Sequence, residues 1–439
     1  MGRLTGGDPS LLRRINSAVV LHALRTAAWS EPRPEPTGGP TAGAGGTDGM
    51  SGTDGGTGSP HGGTSETDGG AGTPAGAPGA ATLTDLVQAT GLSRPTVEGV
   101  VEGLIASGLV VEAPAEGGEV RRQGRPARRY RFRAEAGHLL GVEIGPHRIA
   151  ALLSDLDGRV LGSAVREVAE NASVDERLER VRTAVADLLR RAGVARDSLR
   201  AVGVATPGIV EADGNVRLCT ALPGWTGLPL GDRLKRSFRC PVLVENDANA
   251  AAVAEQWKGA AAGSDDVVFV LAGLSPGAGA LIGGRLHRGF GGAAGEIGAL
   301  HLLGREAAPE EVLSTTGEPL HPLDEEQVAR VFELAREGDQ QACAAVDRFI
   351  RRLVHDVAAL VLALDPEVVV VGGWAAGLDG VLGPLGDELS RYCLRPPVVV
   401  QSALGEAAVA MGALRLALDH VEEELFAVER TATARRASR

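Results

Sequence analysis

Residues 10–27, SLLRRINSAVVLHALRTA, place Leu11, Leu12, Ile15, Val19, Leu21 and Leu24 at helical spacing and predict an amphipathic helix. A second periodic block is TLTDLVQATGLSRPTVEGVVEGLIASGLVVEA. Its LTDLVQAT segment predicts a short helix; Gly91 supplies the positive φ that ends it, and Ser93 caps the helix that follows. Val97, Val100, Val101, Leu104 and Ile105 recur at i, i+3, i+4, i+7 and i+8, the buried stripe of that second helix. Pro95 falls in its first turn, where a missing N–H costs nothing.

From about residue 137 onward the pattern changes to apolar strands alternating with helices. HLLGVEI, RIAALLSD, AVGVATPG, PVLVEN, DVVFVLAG and EVVVVGG read as strands. VDERLERVRTAVADLLRRAG, ANAAAVAEQW, EAAVAMGALRLALDHVEEEL and one long stretch, EEQVARVFELAREGDQQACAAVDRFIRRLVHDVAALVLAL, read as helices. Such alternation predicts an α/β architecture with a mixed or parallel sheet.

Between the two patterned regions, residues 31–80 hold 17 glycines, 8 threonines and 7 prolines with no hydrophobic period. Such a stretch cannot bury enough surface to offset its chain entropy, so it reads as a disordered insertion, which costs little loop-closure entropy. The apolar fraction of the whole chain, 44%, excludes global disorder. No apolar run approaches the ~20 residues of a membrane span, and the first residues lack the apolar core of a signal peptide. Cys219, Cys240, Cys343 and Cys393 make no CxxC pair. Their spacing argues for a reduced, cytoplasmic setting and against a disulfide framework or a cysteine-rich zinc site.

The net charge of −12 argues at first against a nucleic-acid partner. Split along the chain, it says something else. Residues 1–136 without the insertion carry 12 basic and 8 acidic groups, the insertion is net −5, and residues 137–439 carry 31 basic and 42 acidic groups. A basic front end precedes an acidic body.

The front end has helix-turn-helix spacing. Ser93, Arg94, Thr96 and Glu98 fall at the start of the second helix, where base edges would lie. Strand GLVVEA, a turn and the ribbon VRRQGRPARRYRFR follow, with Arg121, Arg122, Arg125, Arg128, Arg129, Arg131 and Arg133 and no acid among them. This is the order of a winged helix. Arg125 in its GRP step suits a minor groove, and the other arginines suit phosphates. The competing reading is a small helical interaction module with a solvated basic hairpin.

The body resembles the ROK family of repressors, open reading frames and sugar kinases. The motifs that carry the likeness are GVEIGPHRIAALLSDLDG, ATPGIVEADGNV, ALPGWTGLPL, PVLVENDANAAAVAE, the GLSPGAG run at 273–279, GFGGAAGEIGALHL and Gly372-Gly373 after a strand. The resemblance implies a two-lobed actin-like ATPase (ribonuclease H-like) sugar-kinase fold behind an N-terminal winged helix, an order found in the family's regulators. In family kinases the first turn reads Asp-x-Gly-Gly-Thr. Here Glu143 stands for the acid and Gly145 is kept, while Pro146 and His147 replace Gly-Thr. Proline removes an amide donor, and the lost threonine removes a hydroxyl. In the second phosphate loop, Gly273, Gly277 and Gly279 remain, but Leu274, Ser275 and Pro276 replace the usual residues. Gly372 and Gly373 resemble the adenosine-side turn.

The sugar side is better kept. Glu245-Asn246-Asp247-Ala248-Asn249 matches the family's END-A-N motif, in which the position of Asp247 is the general base of phosphoryl transfer. Glu296 matches a sugar contact, and Glu311 aligns with another. Trp225 is placed either over a sugar face or in the core. Ala299 takes the place of a family histidine, His301 falls two residues on, and the family's CxCGxxGC zinc run has no counterpart, so zinc is not expected.

Residues 9–30 are expected to form the first helix of the winged-helix domain, 31–80 the insertion and 81–134 the helix-turn-helix and wing; 137–255 and 256–425 form two lobes with the final helix returning to the first, and 426–439 a disordered tail. The sugar site comprises Asn246, Asp247, Glu296 and Glu311; the phosphate-type turns, Gly145, Gly273, Gly277, Gly279, Gly372 and Gly373; the DNA contacts, Ser93, Arg94, Thr96, Arg121, Arg122, Arg125, Arg128 and Arg129. The function expected is a sugar-responsive transcriptional regulator, a repressor acting as homodimer or homotetramer on operator DNA, with a sugar effector, no required cofactor and no membrane partner. The rivals are an ATP-dependent hexose kinase with Asp247 as base and Mg-ATP as cosubstrate, and a DNA-binding regulator that takes no sugar.

Overall fold

A computed structural model describes residues 9–26, 79–113, 127–273, 276–298, 312–315, 325–377 and 381–426. The insertion (bar residues 79 and 80) and nearly all of the tail lie outside the described residues. The chain divides into a front unit, residues 1–133, and a body, residues 134–439.

In the front unit, α1 (Pro9–Thr26), α2 (Leu83–Thr90) and α3 (Arg94–Ala106) pack on a three-stranded antiparallel sheet of order β1-β3-β2, with β1 Ala81–Thr82, β2 Val110–Ala113 and β3 Arg129–Phe132. Thr82 and Asp85 form a reciprocal capping box at the start of α2. Gly91 ends α2 at φ 69°. Two residues on, the Ser93 hydroxyl accepts the Thr96 N–H and caps α3. Val20, Leu21, Leu24, Leu86, Val97, Val100, Val101, Leu104, Val110 and Phe132 make the core. The expected stripes are trimmed at their edges, because Ile105 (41% exposed), Leu12 and Val19 lie on outer faces. A β2–β3 ribbon after α3 is the arrangement of a winged helix.

The body repeats one sheet topology. β4 (His138–Ile144), β5 (Arg148–Asp155) and β6 (Val160–Glu167) form an antiparallel meander; β7 (Leu199–Thr206) and β10 (Val242–Asn246) then add in parallel beyond β4. β11 (Val267–Leu271), β12 (Gly277–Ile282) and β13 (Arg285–Leu286) form a second meander, and β14 (Val368–Gly372) and β15 (Val398–Gln401) add in parallel beyond β11. A short ribbon, β8 (Ile209–Val210) with β9 (Val216–Leu218), follows β7.

Helices α4 (Val174–Ala192), α5 (Leu230–Lys235) and α6 (Asp247–Lys258) belong to the first half, and α7 (Glu325–Arg336), α8 (Gln340–Leu364) and α9 (Leu382–Tyr392) to the second. The long helical stretch expected over 325–364 is thus two helices. Gly338 takes φ 90°, and Asp339 caps α8 by accepting the N–H groups of Gln341 and Ala342 at 3.0 and 2.8 Å. This Gly-Asp step breaks a continuous apolar period.

The last helix, α10 (Ala408–Phe426), leaves the second sheet and packs on β4, β7 and α6 of the first. The approach is close enough to require glycine. A Cβ at Gly203 would lie 1.8 Å from the Ala413 carbonyl oxygen, and one at Gly412 would lie 1.7 Å from that of Ala250. The crossover before α10 is fixed by buried Glu255 near the end of α6. Its carboxylate accepts the Ser402 hydroxyl at 2.5 Å and the Leu404, Ala403 and Ala260 N–H groups at 3.0, 3.3 and 2.6 Å.

Candidate functional site

Strand β10 delivers Glu245, Asn246 and Asp247 to the junction with α6, in parallel register with Ala205 and Thr206 of β7. Each acts differently. Glu245 is buried; its Oε1 accepts the Asn246 N–H and the Asn249 side-chain amide, both at 3.0 Å, and its Oε2 accepts Arg288 Nε at 2.6 Å. Asn246 caps α6, accepting the Asn249 N–H at 3.0 Å, while its own amide donates to the Gly208 carbonyl at 3.0 Å. This holds the segment leading into the β8–β9 ribbon against the start of the helix. Asp247 accepts the Ala248 N–H at 2.8 Å. Burial, reinforced by the nearby charge of Glu296, pushes its carboxyl up to about 6. Burial likewise raises the Glu296 carboxyl.

Glu296 follows Gly295, which sits at φ 90° where a Cβ would lie 1.8 Å from the Ala278 carbonyl oxygen. Upstream, Gly292 abuts the Val210 carbonyl of β8 in the same way. The loop carrying Glu296 is thereby pinned to both β8 and β12. Asp247 and Glu296 both act electrostatically on the buried Cys219 thiol, which places the three in one neighbourhood. Glu311, Ala299 and His301 lie outside the described residues. Trp225 is wholly buried, and its indole donates to the Thr206 hydroxyl at 2.9 Å, so of its two expected placements the core is the one found.

The glycines expected at phosphate-type turns sit in closely packed surroundings. At the β4–β5 turn the Gly145 N–H donates to the Arg148 carbonyl at 2.9 Å, and Pro146 has no N–H to give. Arg148 grips Glu143 with two parallel hydrogen bonds of 3.1 Å and reaches Glu406, just before α10, through the side chain at 2.5 Å and the main-chain carbonyl at 2.6 Å. Burial raises the Glu143 carboxyl, with Arg148 opposing. Beneath the turn, buried Arg177 donates to the carbonyls of Gly145, Pro146, Ala169 and Glu170 at 2.7–3.0 Å. Of the second loop, Gly279 is needed for packing: a Cβ there would lie 2.5 Å from the Ala248 carbonyl oxygen, whereas one at Gly277 would only touch the Ala248 methyl. A Cβ at Gly273 would lie 3.1 Å from the Trp374 indole nitrogen, and Trp374 stacks on Phe349 directly after Gly372 and Gly373.

On the front unit, Arg94 is exposed at the start of α3, and the Thr96 hydroxyl shares a 2.7 Å hydrogen bond with its cap, Ser93. Exposed Arg128 is 3.7 Å from Glu112 across the wing, and half-buried Arg129 pairs with Thr82 and Ala113 in the sheet. Arg121, Arg122 and Arg125 lie outside the described residues.

The ROK family profile matches residues 139–420, most of the body. The chain belongs to the ROK family. The IclR helix-turn-helix domain profile matches residues 75–114 in front of it. A xylose repressor of Caldicellulosiruptor bescii is 26% identical over 322 residues, 67% of this chain and 79% of the repressor. A glucokinase of Halalkalibacterium halodurans is 31% identical over 46% of this chain and 69% of the kinase. Among solved structures, a ROK family glucokinase from Streptomyces griseus in complex with glucose and AMPPNP is 28% identical, covering 64% of this chain and all of that one, at TM-score 0.52. A ROK family transcriptional regulator, a homolog of the E. coli MLC protein, shares the fold over 95% of this chain and 98% of its own at TM-score 0.62 and 17% identity.

Sequence reasoning found the END junction and the altered turns of this ROK body. It missed Arg148, Arg177, Glu255, Arg288, Trp374 and Glu406. Arg148 carried a signal, a cation five residues beyond the phosphate-turn acid. Glu255 closes the PVLVENDANAAAVAE motif but gives no sign there of its distant partners; the remaining residues lie in separate segments and meet only through the fold.

Proposed function

We propose that this ROK protein is a sugar-responsive DNA-binding repressor whose body senses a sugar without phosphorylating it. The observation that carries the reading is a contrast within the body. Asp247 and Glu296, electrostatically coupled, keep two carboxyls able to accept sugar hydroxyls, while the phosphate turn has its amide and its acid already engaged by Arg148. The winged helix in front and the resemblance to a xylose repressor support the same reading. Operator DNA would be gripped through Arg94 and the wing arginines by a homodimer or homotetramer in the cytoplasm. A sugar that favours one of two body states would alter DNA affinity by its differential binding.

The test is genome-wide pull-down of DNA with the full chain, followed by titration of the recovered promoter with and without monosaccharides. The reading expects specific binding that shifts with one sugar. Arg128→Ala should weaken binding and lower its salt dependence. No affinity for any promoter at low salt would refute it.

The hexose-kinase reading has one observation in its favour: a carboxyl raised to about 6 suits a general base. Steady ADP production with a hexose, abolished in Asp247→Asn, would establish that reading in place of the first.

A further inference from the structure

We propose that Arg148 is an internal tie standing in for the nucleotide: it joins Glu143 of the phosphate turn to Glu406 at the crossover into α10, and so links the proposed sugar site at Asp247 to that crossover without ATP.

The geometry is that of a committed guanidinium. Nε and Nη2 hold the two oxygens of Glu143, Nη1 holds the Glu406 carboxylate, and Nη2 also reaches the Glu406 carbonyl. A guanidinium fork is built for such bidentate pairing. A divalent cation or a phosphate at this turn would have to displace Arg148 from Glu143 first. At the nucleoside end, Trp374 lies against Gly273 and stacks on Phe349, so that turn too is met by the chain's own side chain.

Glu406 is tied from the other side as well. Residues 402–404, separated from it by Gly405 alone, are held by Glu255 of α6. Asp247 is the first residue of α6, and its charge acts on Glu143. The connections therefore close on themselves: Asp247 through α6 to Glu255, from there to the crossover and Glu406, through Arg148 to Glu143, and back to Asp247 by electrostatics. A sugar that engages Asp247 perturbs a circuit already coupled to the segment from which α10 departs. This last step rests on the sugar-sensing reading; the tie itself does not.

The experiment uses the full chain in three arms. In the first, amide hydrogen exchange is compared between wild type and Glu406→Ala, whose side chain is exposed and whose loss leaves the core intact. The tie predicts exchange at residues 402–408 faster by about tenfold; unchanged exchange overturns it. In the second, calorimetry with Mg-AMPPNP is run on wild type. The tie predicts no binding up to about 1 mM, and saturable binding below that overturns it. In the third, D-glucose and D-xylose are titrated into wild type and Arg148→Ala, and whichever binds should lose about tenfold in affinity. Equal affinity overturns the coupling. If neither sugar binds wild type, sugar sensing fails while the first two arms still decide the tie. Should Arg148→Ala not fold, Glu406→Ala takes its place in the third arm.

Discussion

Trp225 donates its indole N–H to the hydroxyl of Thr206 at 2.9 Å, and both side chains are fully shut off from water. Thr206 is the last residue of β7, level with Asn246 of β10, so this hydrogen bond braces the sheet edge from which Asp247 emerges. Trp225→Phe is expected to cost about 1–3 kcal/mol, since it leaves a buried hydroxyl without its donor. Thermal unfolding measures the loss. Monosaccharide affinity should hold within about threefold, because the indole lies in the core.

Asp247 gives a pH signature with a definite sign. Its carboxyl is raised by burial from 3.8 to about 6. An acid that binds its proton more tightly when folded stabilises the fold at low pH, and that contribution is lost as pH rises from about 4 through about 6. Asp247→Asn removes the charge and keeps an acceptor for the Ala248 N–H. It should therefore exceed wild type in stability at pH 7 by up to about 3 kcal/mol and match it near pH 4. Denaturant unfolding at several pH values tests this. A sugar that relies on the carboxylate should bind wild type more weakly below pH 6.

What the sequence disclosed and what it hid have physical causes. Buried strands such as Val267–Leu271 and Val368–Gly372 are near-continuous apolar runs, visible without any partner. The edge strand Val160–Glu167 buries only Ala164 and so carries almost no period. The END junction could be read because its residues are adjacent in the chain. The Glu143–Arg148–Glu406 tie spans 258 positions between Arg148 and Glu406, and the Glu255 clamp spans 149 to Leu404. Neither of these long-range links leaves a local pattern, since each depends on α10 crossing back to the first sheet, although the Glu143–Arg148 half of the tie is only five residues apart.

That crossing sets a steric prediction. β7 and α10 meet at Gly203, where an added methyl would fall 1.8 Å from the Ala413 carbonyl oxygen. No rotamer relieves a clash between a Cβ and backbone, so Gly203→Ala must shift the helix off the sheet, at a cost of about 3 kcal/mol or more. Gly412→Ala, against Ala250 of α6, should do the same. Thermal unfolding and the soluble yield of each variant measure the effect. A Gly203→Ala protein with wild-type stability would mean that α10 does not pack as described.

Gly99 of α3 is the opposite case. It lies on the exposed face of a 13-residue helix with nothing within 4 Å of an added Cβ, and Gly103, one turn on, is equally open. A glycine inside a helix costs about 0.5–1 kcal/mol relative to alanine, mostly through backbone entropy. Neither position has a positive φ to justify it. Gly99→Ala should therefore stabilise the front unit by about 0.5–1 kcal/mol, and the double variant by about twice that, since open sites without shared neighbours add. The readout is the unfolding transition of the front unit, followed by far-ultraviolet circular dichroism in the full chain. A fall in stability would show that α3 is not exposed on this face, because only an unseen neighbour could turn an unhindered methyl into a cost.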